Sequence, residues 1–123
     1  MKEVIAIVRP KKVSATKEAL ELLGFPGITA AAVLGRGKQR GIAAEVSFAI
    51  EPELLSKGRS GGMKFVPKRF LSVIVENEQV EKIVNAIVKI NQTAQVGDGK
   101  IFICPIDDAV RVRTGESGNP ALN

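Results

Sequence analysis

The chain contains no histidine, no tryptophan and no tyrosine, and a single cysteine. These absences remove the usual side chains of a zinc site, a Ser-His-Asp triad and a Cys-His pair, and with them most hydrolase chemistries. Cys104 has no second thiol to bridge with. It sits in Phe102-Ile103-Cys104-Pro105, which reads as a buried strand, so a structural thiol in a reducing cytoplasm is expected. No apolar run approaches the ~20 residues needed to span a bilayer. Met1-Lys2-Glu3-Val4 leads straight into a strand-like segment without the features of a secretory signal. A cytoplasmic protein with no membrane insertion is the expectation. Aromatics amount to five phenylalanines, poor material for stacking nucleobases on a sheet, so no nucleic-acid partner is expected. Asp107 and Asp108 are adjacent, which on a strand would send them to opposite faces, so they read as a turn rather than an acid pair.

What the chain has in ordinary measure is apolar residues, 45%, and charged ones, 25%, the balance of a soluble globular domain. At 123 residues it makes one domain able to bury roughly two thirds of its unfolded surface without disulfides or metal. The net charge of +5 is unevenly placed: residues 36–69 hold eight bases and three acids, while the rest balances ten against ten. A solvated surface accounts for such a run, and an anion-binding function is the alternative.

Val4-Ile5-Ala6-Ile7-Val8 is short and β-branched, a strand that Pro10 ends. Ser14 is placed to cap a helix whose Thr16, Ala19, Leu20 and Leu23 share one face, with Gly24 as its left-handed stop. Ile28 to Leu34 reads as a second strand after the Pro26-Gly27 turn. The plan then repeats. Phe70 to Val75 is a strand, Asn77 a candidate cap, and Val80, Ile83, Val84, Ile87 and Val88 form an i, i+3, i+4, i+7, i+8 stripe. Ile101 to Cys104 and Val110-Arg111-Val112-Arg113 predict a final strand broken at Pro105. Two βαβ units predict an α+β, ferredoxin-like βαββαβ sandwich with both helices on one side of the sheet. Apolar residues on both strand faces predict an oligomer that covers the other side. Between the halves runs an oversized basic connection, from about residue 37 to 66, where compact domains spend about 4–6 residues. Ala44 to Ile50 alternates like a hairpin strand, and Lys57 to Gly62 reads as mobile.

Three segments suit anions. Val96-Gly97-Asp98-Gly99-Lys100 sets bare amides and an ammonium just before a strand, without Walker A spacing. Taken alone it is equally a plain turn. Arg111 and Arg113 would share one strand face, where like charges gain from a bidentate polyanion. Gly35-Arg36-Gly37-Lys38-Gln39-Arg40-Gly41 alternates glycine with base, and the Gln39 carbonyl could serve a hard cation such as Mg²⁺.

These stretches, with Ala6-Ile7-Val8-Arg9-Pro10 and Thr114-Gly115-Glu116, resemble the PII signal-transduction family from Lys2 to Glu116. The resemblance implies a domain over 1–116 with a tail over 117–123, a trimer, and a flexible T-loop over about 37–66. It implies ATP or ADP in clefts between subunits, and 2-oxoglutarate held through Mg²⁺ and ATP at the loop's base. By position, Lys100, Arg111 and Arg113 would hold phosphates, with Gly37, Lys38, Gly97 and Gly99 completing the cradle. Thr29 would lie near the adenine, and Gly35, Arg36 and Asp98 round out the nucleotide set. Gln39 would ligate Mg²⁺, Lys68 would pair with the distal carboxylate of 2-oxoglutarate, and the amides of Gln39, Arg40 and Gly41 would face that ligand. Ser72 departs from the acidic residue common near the adenine, which bears on base contacts.

The loop departs most from the family pattern. With no tyrosine anywhere, control by uridylylation is not expected. Ser47 and Glu51 stand where other members carry an arginine that plugs ammonium channels. A long, tyrosine-free loop resembles the nitrogenase-regulating, nif-linked branch, specifically the longer-loop member of its pair. That implies a non-enzymatic regulator acting on dinitrogenase beside its sibling PII protein, as a trimer or mixed hexamer, with inhibition relieved by 2-oxoglutarate and ATP. Regulation of an ammonium channel is the alternative within the family.

Overall fold

The computed structural model describes residues 1–37 and 64–123. Among these residues the elements run β1 (Lys2–Val8), α1 (Val13–Leu22), β2 (Thr29–Arg36), β3 (Phe65–Val75), α2 (Val80–Asn91) and β4 (Gly99–Pro105). The four strands form one antiparallel sheet in the order β2-β3-β1-β4. The fold is the expected α+β, ferredoxin-like sandwich, with both helices packed over one sheet face. The proposed hairpin at Ala44 to Ile50 and the segment Lys57 to Gly62 lie outside the described residues.

Alternation decides which strand atoms meet the helices. Val4, Ala6 and Val8 of β1 face inward and pair in register with inward Val73, Leu71 and Arg69 of β3. Leu20 of α1 and Ile83 and Ile87 of α2 close the core against Val4, Val8, Leu71, Val73 and Val75. Burying each large aliphatic contributes about 1.5–3 kcal/mol. The opposite face carries half-buried Ile5, Ile7, Phe70 and Ile74, with Phe102 on β4 opposite Ile5 and 49% exposed. Phe102 and Cys104 were expected to be buried; Cys104 is half-buried. β4 is an edge strand, and one long side of it has no neighbouring strand.

Helix starts differ from the sequence reading. Pro10–Lys12 forms a 3₁₀ turn, and Lys12, in helical conformation, leads into α1, so Ser14 lies inside the first turn and caps nothing. Proline suits that first position because its missing N–H would have no acceptor there. Asn77 likewise opens a 3₁₀ turn, Asn77–Gln79, and its side chain accepts a hydrogen bond from the amino group of Met1 at 2.7 Å instead of capping α2.

The apolar stripe of α2 runs one turn further than its aliphatic residues. Asn91, four residues past Ile87, is buried in the helix interface. Its Nδ2 donates to Thr16 Oγ1 at 3.0 Å and to the Ile87 carbonyl at 2.9 Å, while Thr16 Oγ1 donates to the Lys12 carbonyl at 2.7 Å. A buried amide needs such partners, since an unmet group costs about 1–3 kcal/mol; Nδ2 is satisfied, while Oδ1 has no partner among the described residues.

Only the first half of the expected final strand forms. β4 ends at Pro105, and Val110 to Arg113 runs into a turn whose bridge is the single pair Val110↔Ser117. Asp108 explains part of this. Its Oδ1 accepts from the amides of Ala109 at 2.8 Å and Gly118 at 3.0 Å, which folds the segment back on itself.

Candidate functional site

The antiparallel register brings the end of β2 and the starts of β3 and β4 to one end of the open sheet face. There they enclose a cleft of about 520 Å³, a size usual for small-molecule sites. Arg36, Lys68 and Lys100 line it, and among its described lining residues there is no carboxylate. Gly35, Gly37, Gly97 and Gly99 supply bare backbone, with Phe102 as an apolar wall. Backbone amides without side chains and fixed cations are the elements of an anion cradle.

Its tightest part is the turn before β4. Gly97 and Gly99 have φ of +100° and +117°. A Cβ on Gly99 would lie 1.9 Å from the carbonyl oxygen of Ile7, so no other residue can start β4 this close to β1. Asp98 between them turns away from the cleft. Its Oδ2 accepts from the Thr93 amide at 2.6 Å and its Oδ1 from the Thr93 hydroxyl. From the end of β1, Arg9 reaches across with Nη2 on the Val96 carbonyl at 3.0 Å and 3.6 Å from Asp98 Oδ1.

The Thr93 hydroxyl, then its amide, hold the Asp98 carboxyl down at about 2, against 3.8 ordinarily. The Gln95 amide and Arg9 add to this, while partial burial opposes it. Because the folded value is depressed, the stabilisation is complete above the unfolded value and disappears as pH falls through the folded one. Asp98→Asn should therefore lower the thermal midpoint by a constant amount above about pH 4, with the gap closing between 4 and 2. Thermal melts of both proteins across that range check this.

Lys68 is 7% exposed, and its ammonium donates to the Gly97 carbonyl at 2.6 Å. Its stem runs under Gly35, where a Cβ would approach Lys68 Cγ to 3.3 Å. One buried lysine thus ties β3 to the glycine turn across the cleft floor.

The structure therefore gathers Gly35, Arg36, Gly37, Lys68, Gly97, Gly99 and Lys100 in one place. It sets four expected residues elsewhere, Asp98 among them, since its carboxylate is turned onto Thr93. Thr29 begins β2 opposite Ser72, roughly 20 Å along the strand from Gly35. Arg111 and Arg113 lie in the turn after β4, not on a strand face, and Arg111 pairs with Glu116 at 2.6 Å. Lys38, Gln39, Arg40 and Gly41 lie outside the described residues.

Arg9 was not singled out as a functional residue by sequence. A base immediately after a strand beside a predicted phosphate loop is the signal that could have found it. At position 72, Ser72 Oγ donates to Glu3 Oε2 at 2.6 Å, which sets a carboxylate beside it. Among the described residues no group of three or more His, Cys, Asp or Glu could hold a metal, and no helix is long and apolar enough to cross a membrane.

Residues 1–116 match the protein family described as Nitrogen regulatory protein P-II. The chain is 55% identical over 122 residues to "Nitrogen fixation nifHD1 region GlnB-like protein 2" of Methanosarcina barkeri, covering 99% of each. It is 53% identical over 122 residues to the corresponding nifHD-region protein of Methanobacterium ivanovii, again covering 99% of each. Among solved structures it resembles Arabidopsis thaliana PII bound to citrate, with a TM-score of 0.73 and 34% identity, covering 98% of this chain and 88% of that one. A full-length match to the family, a shared fold and this identity to nif-region relatives lead to one conclusion: the chain belongs to the P-II family of nitrogen regulatory proteins, in its nif-linked branch.

Proposed function

We propose that this regulator senses ATP or ADP together with 2-oxoglutarate in the cleft between β2, β3 and β4, and controls dinitrogenase by direct contact through the segment 37–66. 2-Oxoglutarate relieves the inhibition. The observation that carries the reading is the convergence of Arg36, Lys68, Lys100 and four glycines in a cleft whose described lining has no carboxylate, at the two ends of that segment. Three cations fall short of a nucleoside triphosphate's charge. A neighbouring subunit's Thr29, Arg111 and Arg113 complete the site, which accounts for their distance from the cleft within one chain. The apolar open sheet face, with Ile5, Ile7 and Phe70, is the surface a trimer would cover.

Mg²⁺ fits this arrangement as a guest of the ligands. With no acidic cage among the described residues, its oxygens would come from phosphate, from 2-oxoglutarate and from the Gln39 side chain, in keeping with the few protein ligands this ion takes. When bound, the ion neutralises phosphate charge and joins the two effectors. The protein's own part is to bind, orient and report. Two relatives more than half identical to this chain carry nitrogen-fixation-region names, which favours dinitrogenase over an ammonium channel, with the sibling PII protein as co-regulator in the cytoplasm.

Calorimetric titration of 2-oxoglutarate with and without Mg-ATP tests the reading. Binding should require both the nucleotide and the ion. Gln39→Ala should abolish effector binding while leaving most of the ATP affinity. Effector binding of equal strength without nucleotide would overturn the coupled site.

A further inference from the structure

Arg111 is fully engaged by its own chain. Nη1 donates to Glu116 Oε1 at 2.6 Å, and Nη2 donates to the Pro120 carbonyl at 2.8 Å and to the backbone oxygen of Asn123. Both outer nitrogens of the guanidinium fork, the pair that would grip a phosphate, are thus turned onto residues 116–123. The backbone reinforces this: the Arg111 amide donates to the Glu116 carbonyl at 2.8 Å, the Gly115 amide to the Arg111 carbonyl at 2.7 Å, and the Gly118 amide to the Ala109 carbonyl at 3.0 Å. Asn119–Leu122 forms a 3₁₀ turn, and partly buried Leu122 forms one wall of a groove whose other walls include Phe25, Pro26, Val75 and Gln79. Arg113, two residues on, has no hydrogen bond or ion pair to any described residue.

We propose that residues 117–123 are a displaceable internal counter-ligand for Arg111. Tail carbonyls and Glu116 occupy the fork when no polyanion is present, and a nucleotide phosphate, met first by unengaged Arg113, exchanges with them. The inference rests on the nucleotide reading above and adds to it a competition: nucleotide binding releases the tail, and tail docking weakens nucleotide binding by the same factor. The tail then reports occupancy at a place remote from the 37–66 segment. Charge makes the exchange favourable, because a nucleoside triphosphate offers the fork several anionic oxygens where Glu116 offers one carboxylate and Pro120 a carbonyl dipole.

The test is ATP affinity of the full chain, of a chain lacking residues 119–123, and of Leu122→Ser, which keeps the tail backbone but weakens its seat. Truncation should tighten ATP binding about tenfold, a modest factor because the contacts are partly exposed, and Leu122→Ser should fall between. In the full chain, ATP should speed hydrogen exchange at the Gly118 and Ala121 amides. Equal or weaker ATP binding by the truncated chain, or unchanged exchange on adding ATP, overturns the counter-ligand. Absence of ATP binding in all three proteins sinks the nucleotide reading itself, and the competition with it.

Discussion

Gly99→Ala is expected to destabilise the protein by about 4 kcal/mol, near the upper end for single substitutions, and to open the anion cleft. Two independent costs add. An alanine held at φ of +117° stores about 1–3 kcal/mol of backbone strain. Its Cβ would also sit 1.9 Å from the Ile7 carbonyl oxygen and 3.0 Å from the Ile7 carbonyl carbon, so the start of β4 must move off β1. That movement breaks ladder bonds worth about 1 kcal/mol each and carries Lys100, which pairs with Ile7, away from the cleft. Gly27→Ala is the control. Its Cβ would meet nothing within 4 Å, so a change within about 0.5 kcal/mol is expected. Urea unfolding of the three proteins measures both, and a Gly99→Ala midpoint matching that of Gly27→Ala would refute the close-approach account.

Lys68→Met should cost anionic effector binding about a hundredfold, near the upper end of what a charge-assisted hydrogen bond contributes. Methionine keeps the stem that packs beneath Gly35 and removes only the ammonium. The fold should tolerate this, because the cost of leaving the Gly97 carbonyl without its donor, about 1–3 kcal/mol, is offset in part by no longer burying an ammonium. The exchange also cuts the 2.6 Å bond to the Gly97 carbonyl, so the amides of the turn before β4 should exchange faster. Calorimetry with 2-oxoglutarate and Mg-ATP, beside hydrogen exchange, separates the two roles. If affinity holds within about threefold while exchange rises, Lys68 is a strut for the glycine turn and not an effector ligand. Lys64→Met, outside the cleft lining, serves as the charge control.

Both predictions concern residues whose importance the sequence marks only partly. Gly99 stands out in a glycine-lysine turn before a strand, but a plain turn explains that pattern equally well. The decisive fact is the carbonyl of Ile7, which is brought there by pairing over more than ninety residues of chain. Lys68 sits in a basic run that would suit any solvated surface. Its burial follows from its place near the start of β3, paired with Val33 of β2 and beneath the Gly97 turn, on the face away from the helices.

By itself, the sequence determined the elements and their layers. Period-two burial in β1 and the i, i+3, i+4 stripe of α2 are local properties, expressed wherever the chain folds, and they suffice to predict a helix-covered antiparallel sheet. It also determined that the basic excess and the glycines would cluster at the ends of one long connection. The tertiary structure alone decided which polar groups meet. Asn91 finds Thr16 across 75 positions, Arg9 finds Val96 across 87, and Lys68 finds Gly97 across 29. It also turned Val110 to Arg113 from an expected strand into a turn latched by Asp108 and Arg111. Hydrophobic periodicity is read along the chain, because burial depends on which side of an element a residue occupies. A hydrogen-bond partner is chosen by strand register and helix packing, which exist only after the elements have come together.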